Sequence, residues 1–162
     1  REVGISVGLI YKDFINKDDL IDAYIRKMVD EIIFECQRLA EQNKSAKELL
    51  HDVLIGFCQQ LAEHLSQDRG FFQCIFGNLQ FGQFKQKTAR YNDLFAPVLQ
   101  NIIVTVLDKG REEGIFELDD SAGAAVCLMD AFRFFIFDFD KPEEILPKSE
   151  RMFNFIIKAI EK

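Results

Sequence analysis

Val3-Gly4-Ile5-Ser6-Val7-Gly8-Leu9-Ile10-Tyr11-Lys12-Asp13-Phe14-Ile15-Asn16-Lys17-Asp18-Asp19-Leu20 holds two helix starts around one short helix. Gly4 suits a tight helix-ending turn, because it has no Cβ to oppose positive φ. Ser6 is a good N-cap, since its hydroxyl can accept from a backbone N–H of the first turn. A short helix follows, from about Val7 to Phe14. Asn16 caps the next helix, and Asp18 and Asp19 sit in its first turn, where the helix dipole favours carboxylates. The order is helix end, tight turn, short helix, turn, long helix.

Working outward, Ile21, Tyr24, Met28, Ile32, Cys36 and Leu39 recur at three- or four-residue steps. This is one face of an amphipathic helix over about 17–41. Gln42-Asn43-Lys44 interrupts it. Ser45-Ala46-Lys47-Glu48 has the form of a capping box and opens a helix carrying Leu50, Val53, Leu54, Phe57, Leu61 and Leu65, ending near Ser66. A short helix covers Arg69–Phe76, followed by a Gly77-Asn78 turn. Phe81, Phe84, Thr88, Tyr91, Phe95, Val98, Ile102 and Val106 then form one long stripe. Pro97 lies off this stripe and predicts a kink there or a break near Asn92-Asp93. The helix closes at Lys109–Gly114, with cations near its end and Gly beyond. Asp119-Asp120-Ser121 caps a helix over about 121–137, small at its start and aromatic at its end. A loop with two prolines and several acids spans Asp138–Pro147. The last helix, about 148–161, presents Met152, Phe153, Phe155, Ile156, Ile157 and Ile160. No segment alternates like a strand, so the fold class is all-α.

Forty-eight per cent of the 162 residues are hydrophobic, enough for a sizeable core and one or two domains. No apolar run approaches the ~18 residues of a membrane span. Net charge is −7, which argues against bulk nucleic-acid affinity. Residues 1–27 balance Arg1, Lys12, Lys17, Arg26 and Lys27 against Glu2, Asp13, Asp18, Asp19 and Asp22, so the net negative charge lies beyond them. DNA affinity depends on local contacts to phosphate and not on the whole-chain sum. Cys36, Cys58, Cys74 and Cys127 form no CxxC pair and lie in apolar helical contexts. They read as reduced core residues of a cytoplasmic protein, whereas a redox pair would need two of them close in space.

Gly-Ile-Ser-Val-Gly-Leu-Ile-Tyr-Lys-Asp-Phe, followed by Asn-Lys-Asp-Asp-Leu, resembles the recognition-helix signature of the TetR (tetracycline repressor) family. The likeness covers roughly the first 20 residues without a gap. The remainder carries no such signature, only a compatible helical layout. The resemblance implies that the chain begins inside the second helix of a three-helix DNA-binding domain, truncated at its N-terminus. Residues 1–27 would be the partial helix-turn-helix domain, with a recognition helix at about 6–14. Residues 28–162 would be a helical ligand-binding and dimerisation domain.

By that resemblance Val7, Gly8 and Leu9 face base edges, and Ser6, Tyr11, Lys12 and Lys17 reach phosphates. Hydroxyls and ammonium groups are ordinary phosphate partners that fix register. Val7 and Leu9 can meet a thymine methyl but cannot hydrogen-bond a base. Asp13 departs from the family's frequent His or aromatic and would repel phosphate. The partners implied are double-stranded DNA with a palindromic operator, a small-molecule effector, and a second copy joined through the last two helices, about 121–137 and 148–161. Those helices are apolar round much of their circumference, as an intermolecular four-helix bundle needs.

The candidate effector walls are Phe57, Leu61, Phe76, Phe81, Phe84, Tyr91, Phe95, Phe132 and Phe135, with Gln59, Gln60, Asn78, Gln80, Gln83, Asn92 and Arg133 as possible polar groups. Ligand pockets are mostly apolar with a few orienting polar groups, although a Phe stripe at helical spacing is also what a plain core shows. Few charges lie on these faces, so the ligand would be apolar or aromatic. His51 and His64 lie about 220° apart round one helix and cannot share a metal. The acidic run Phe137–Glu144 lacks the Gly and spacing of a calcium loop. No metal, cofactor or catalytic constellation is expected. The function expected is a ligand-responsive transcriptional regulator, a repressor released from its operator. The alternatives are a helical small-molecule-binding or dimerisation module without DNA function, and a small helical enzyme.

Overall fold

A computed structural model describes residues 14–76, 81–133 and 141–162, with the backbone alone for 74–76, 81–88, 90–92, 94 and 133. Among the described residues six α-helices follow one another: α1 Lys17–Ala40, α2 Ala46–Gln67, α3 Arg69–Phe76, α4 Phe81–Glu112, α5 Ser121–Arg133 and α6 Ile145–Ile160. A 3-10 turn at Pro142–Glu144 leads into α6. No strand occurs among the described residues, only one isolated bridge.

The cap residues act as their chemistry dictates. Asn16, in extended conformation, accepts from the Asp19 N–H at 2.9 Å, and the Asp19 carboxylate accepts from the Ile15 N–H at 3.1 Å. One free donor of α1's first turn and the N–H just before its cap are thereby satisfied. Ser45 and Glu48 form the expected capping box. At α5 the cap is Asp120, which accepts from the Gly123 N–H at 3.0 Å, while Ser121 is the buried first residue.

α2 is the central helix. Eleven of its 22 residues are buried, far more than a one-sided surface helix hides. It packs against α1, α4, α6 and the 3-10 turn. α1 adds Ile21, Ile25, Ile32 and Cys36 to this core, and α6 adds Ile145, Ser149, Phe153 and Ile157. α5 packs chiefly on α4. Each fully buried Leu or Ile contributes about 1.5–3 kcal/mol relative to exposure.

Four details differ from the sequence reading. α4 runs unbroken through Asn92, Asp93 and Pro97. Pro97 is exposed, as is Asp93, so the carbonyl left without its partner four residues back faces water. The inward face of α4 is carried by Leu99, Ile103, Val106 and Leu107, and Val98 from the expected stripe is 37% exposed. Val98 lies about 100° round the helix from Leu99, at the far edge of the stripe, whereas Val106 of the same stripe is buried. α6 begins at Ile145, not at 148, with Pro147 in its first turn, where no helical N–H partner is lost. Cys127 is exposed, whereas Cys36 and Cys58 are buried as expected.

One pole of the molecule is tied tightly. Gly114, at φ +70°, ends α4 by a turn that Gly adopts readily. Ile115 to Glu117 then run antiparallel to Ile160–Lys162: the Glu117 N–H donates to Ile160 and the Lys162 N–H to Ile115, at 2.8 and 3.0 Å. The same pole holds the start of α2, where the Glu113 carboxylate accepts from the Ala46 N–H at 3.1 Å. Lys47 pairs with Glu161, and Lys109 donates to the Lys44 carbonyl, both at 2.6 Å. Phe116 is buried against Gly110.

Candidate functional site

Three helices converge on one apolar crevice. Leu54 and Phe57 come from α2, Phe95, Leu99 and Ile103 from α4, and Met129 and Phe132 from α5. Each sits on the inward stripe of its helix, so the crevice is made where the three stripes fail to interdigitate fully. Phe57 and Phe95 stack across it with ring centroids 6.3 Å apart and planes 28° apart. The free volume between the walls is about 10 Å³. That is the room one water needs, but a water also needs polar partners, and all seven walls are apolar. A drug-sized ligand fills ~300 Å³ or more, so its entry through this part of the wall requires Phe95 or a neighbour to move.

Phe57, Phe95 and Phe132 of the expected effector walls are thus brought together. Leu61 is buried one turn beyond Phe57. The side chains of Phe76, Phe81, Phe84 and Tyr91, and residue Phe135, lie outside the described residues, as do those of Asn78, Gln80, Gln83, Asn92 and Arg133. Gln59 is exposed and donates to Glu63 at 2.9 Å, so it points away from the crevice. The sequence reading missed Leu54, Leu99, Ile103 and Met129, because aliphatic residues at these spacings look like any other core.

Of the expected DNA contacts, Ser6, Val7, Gly8, Leu9, Tyr11 and Lys12 lie outside the described residues, as does Asp13. Lys17 is exposed as the first residue of α1.

A second feature joins α1 to the junction of α2 and α3. The Tyr24 hydroxyl donates to Asp68, the residue between α2 and α3. Burial, then the Asp68 hydrogen bond and charge, push the Tyr24 phenol well above its ordinary range. Its ring packs on Phe71 at 4.5 Å and Phe72 at 6.4 Å, and those two rings meet edge to face. The stripe containing Tyr24 was legible from sequence, but its partner 44 residues away was not.

Deep between α1 and α2 lie Cys36 and Cys58. The Cys36 thiol contacts the Val53 carbonyl at 3.8 Å. Burial pushes both thiols up to about 12, which keeps them protonated and unreactive.

No family model and no curated protein matches this sequence. Among solved structures it is similar to a bacterial regulatory protein in the tetR family from Rhodococcus RHA1, determined at 2.2 Å, with a TM-score of 0.64 and 14% sequence identity. The similarity covers 96% of this chain and 80% of that one. Over almost its whole length, therefore, this chain has the fold of a TetR-family regulator.

Proposed function

We propose that this chain is a ligand-responsive, DNA-binding transcriptional regulator, a repressor released from its operator by a small apolar or aromatic effector. The observation that carries the proposal is the likeness of fold to a regulatory protein across 96% of the chain. The ungapped stretch Val3–Leu20 supports it separately, through its resemblance to the recognition-helix signature of that family.

In this reading residues 1–27 contact DNA and residues 28–162 bind the effector and a second copy. α1 spans the boundary as one continuous helix, which suits it to be the lever. Val126 on α5 and Phe155 on α6 are 44% and 76% exposed, the kind of apolar surface that a two-fold helical interface covers. The dimer sets two recognition helices about 34–36 Å apart, one turn of DNA. An effector that binds better when this spacing is wrong releases the DNA through that difference in affinity. The crevice between Phe57, Phe95 and Phe132 is the part of the effector site that the described residues build, and its walls favour a ligand without charge.

A gel-shift with the complete protein and the DNA upstream of its own gene tests this. A shift at low salt that an effector reverses is the expected result. Absence of any shift overturns the DNA reading and leaves a helical binding module. Sizing at micromolar concentration tests the dimer, and a Phe155→Glu variant is expected to elute as a monomer.

A further inference from the structure

The outer face of α1 carries a shallow open groove lined by Ala23, Arg26, Lys27, Asp30, Glu31 and Phe34. Phe34 is 68% exposed, an unusual place for a full aromatic ring. Ala23, Lys27, Asp30 and Phe34 follow steps of four, three and four, the spacing of a coiled-coil seam. This face is on the side of α1 away from Ile21, Ile25, Ile32 and Cys36, which serve the core.

The order of these residues is self-complementary. Consider a two-fold axis crossing α1 midway between Met28 and Val29, with a second α1 antiparallel to the first. Ala23, the smallest side chain of the seam, then stands opposite Phe34, the largest. Lys27 stands opposite Asp30, while Arg26 and Glu31 lie on opposite flanks of the seam. Asp22 and Glu35 would be a like-charged pair in this register, but both lie about 110° round the helix from the seam. Among the described residues of one chain Lys27 pairs with Glu31 at 3.7 Å, both groups well exposed, and Glu31 also faces His64 on α2 at 3.6 Å. Exposed pairs of that kind contribute little and leave the seam charges available.

We infer that this face of α1 docks a second copy of the same chain, α1 against α1 and antiparallel, with Phe34 of each copy seated over Ala23 of the other and Lys27 set against Asp30. The surface is on a different helix from the α5 and α6 faces of the proposed dimer, so it is a second, separate contact between copies. Small residues opposite large ones allow two helices to approach to about 8–10 Å.

The test uses the full chain carrying Phe155→Glu, which removes the other proposed interface. Phe34 is replaced by the photocrosslinker p-benzoyl-phenylalanine, and isotopically heavy and light chains are mixed before irradiation. The expected product joins position 34 of one chain to residues 23–27 of another. Products within one chain, products mapping elsewhere, or none overturn the inference. By sedimentation velocity, Lys27→Glu is expected to weaken association about tenfold, because two repulsive contacts replace two attractive ones. Lys27→Glu combined with Asp30→Lys is expected to restore it. The double variant does not rebuild the pair with Glu31 inside one chain, so recovery cannot come from helix stability, which circular dichroism monitors. A double variant as weak as the single one also overturns the proposed pairing.

Discussion

The Tyr24 hydroxyl on α1 donates to the Asp68 carboxylate at the junction of α2 and α3, closing a contact between residues 44 positions apart. Its ring is held at the same time by Phe71 and Phe72 of α3. One residue of the long first helix is therefore fixed by a polar contact to the α2–α3 junction and by aromatic contacts to α3.

Tyr24→Phe keeps the ring and removes the donor. The Asp68 carboxylate then loses a partner at a part-buried site, and a loss of about 1–2 kcal/mol is expected. Urea denaturation of the two proteins measures it. If α1 is the lever of a regulator, the same variant should also need more effector to release DNA, read as a rightward shift in a gel-shift titration.

Gly110→Ala should destabilise the protein although Ala is the better helix former by about 1 kcal/mol. A Cβ built on Gly110 would lie 2.0 Å from Cδ2 of Phe116 and 2.4 Å from Cε2. The ring must move, and Phe116 is held between backbone hydrogen bonds of its neighbours Ile115 and Glu117 to the chain's last residues. A net loss of about 1–3 kcal/mol is expected. Combining Gly110→Ala with Phe116→Ala should cost less than the two single losses added, and a thermal-melt double-mutant cycle reads that coupling.

Phe95→Ala opens the apolar crevice on its α4 side. Removing a packed aromatic ring costs about 3 kcal/mol, less where the ring is half-exposed as here. The enlarged space is walled by Leu54, Phe57, Leu99, Ile103, Met129 and Phe132, so it should take up benzene or a similar neutral aromatic. The expected outcome is a lowered melting temperature that benzene raises in the variant and leaves unchanged in the parent.

Acid should loosen the contact between the α1–α2 loop and α2. Burial opposes ionisation of Asp52, but hydrogen bonds from Lys44 and His51 outweigh it and hold the carboxyl below its ordinary value of 3.8. A depressed carboxylate stabilises the fold fully above its unfolded value and loses that stabilisation as pH falls through the folded one. The expected loss thus begins near pH 4 and grows below it. Asp52→Asn should flatten this part of a stability-against-pH curve measured by denaturation, with the difference between the two proteins vanishing at the acid end.

Local chemistry accounts for most of what the sequence made legible. Asn16 and Ser45 begin helices because short polar side chains capture the first free N–H groups, and this needs only neighbours within three residues. The apolar stripes of α1 and α2 follow from helix geometry in the same way. Long-range relations are what stayed hidden. Nothing near Tyr24 announces Asp68, and nothing near Gly110 announces that Phe116 turns back onto it. Cys127 looked like a core residue because its neighbours are apolar, yet its side of α5 faces outward. In the crevice, the aromatic walls Phe57, Phe95 and Phe132 stood out by type, while Leu54 and Met129 differ from ordinary core residues only by their position. An inward stripe tells which residues are hidden, and only the packing of three stripes together tells where they leave space.

The pairing of Ile115 and Glu117 with Lys162 and Ile160 gives the last residues a mechanical role. A pull applied at Lys162 is delivered first to the turn after α4 and, through Lys47–Glu161, to the head of α2. A tether or fusion attached there would load the pole where α2, α4 and α6 meet, and the first element to peel away would carry Phe116 out of the core.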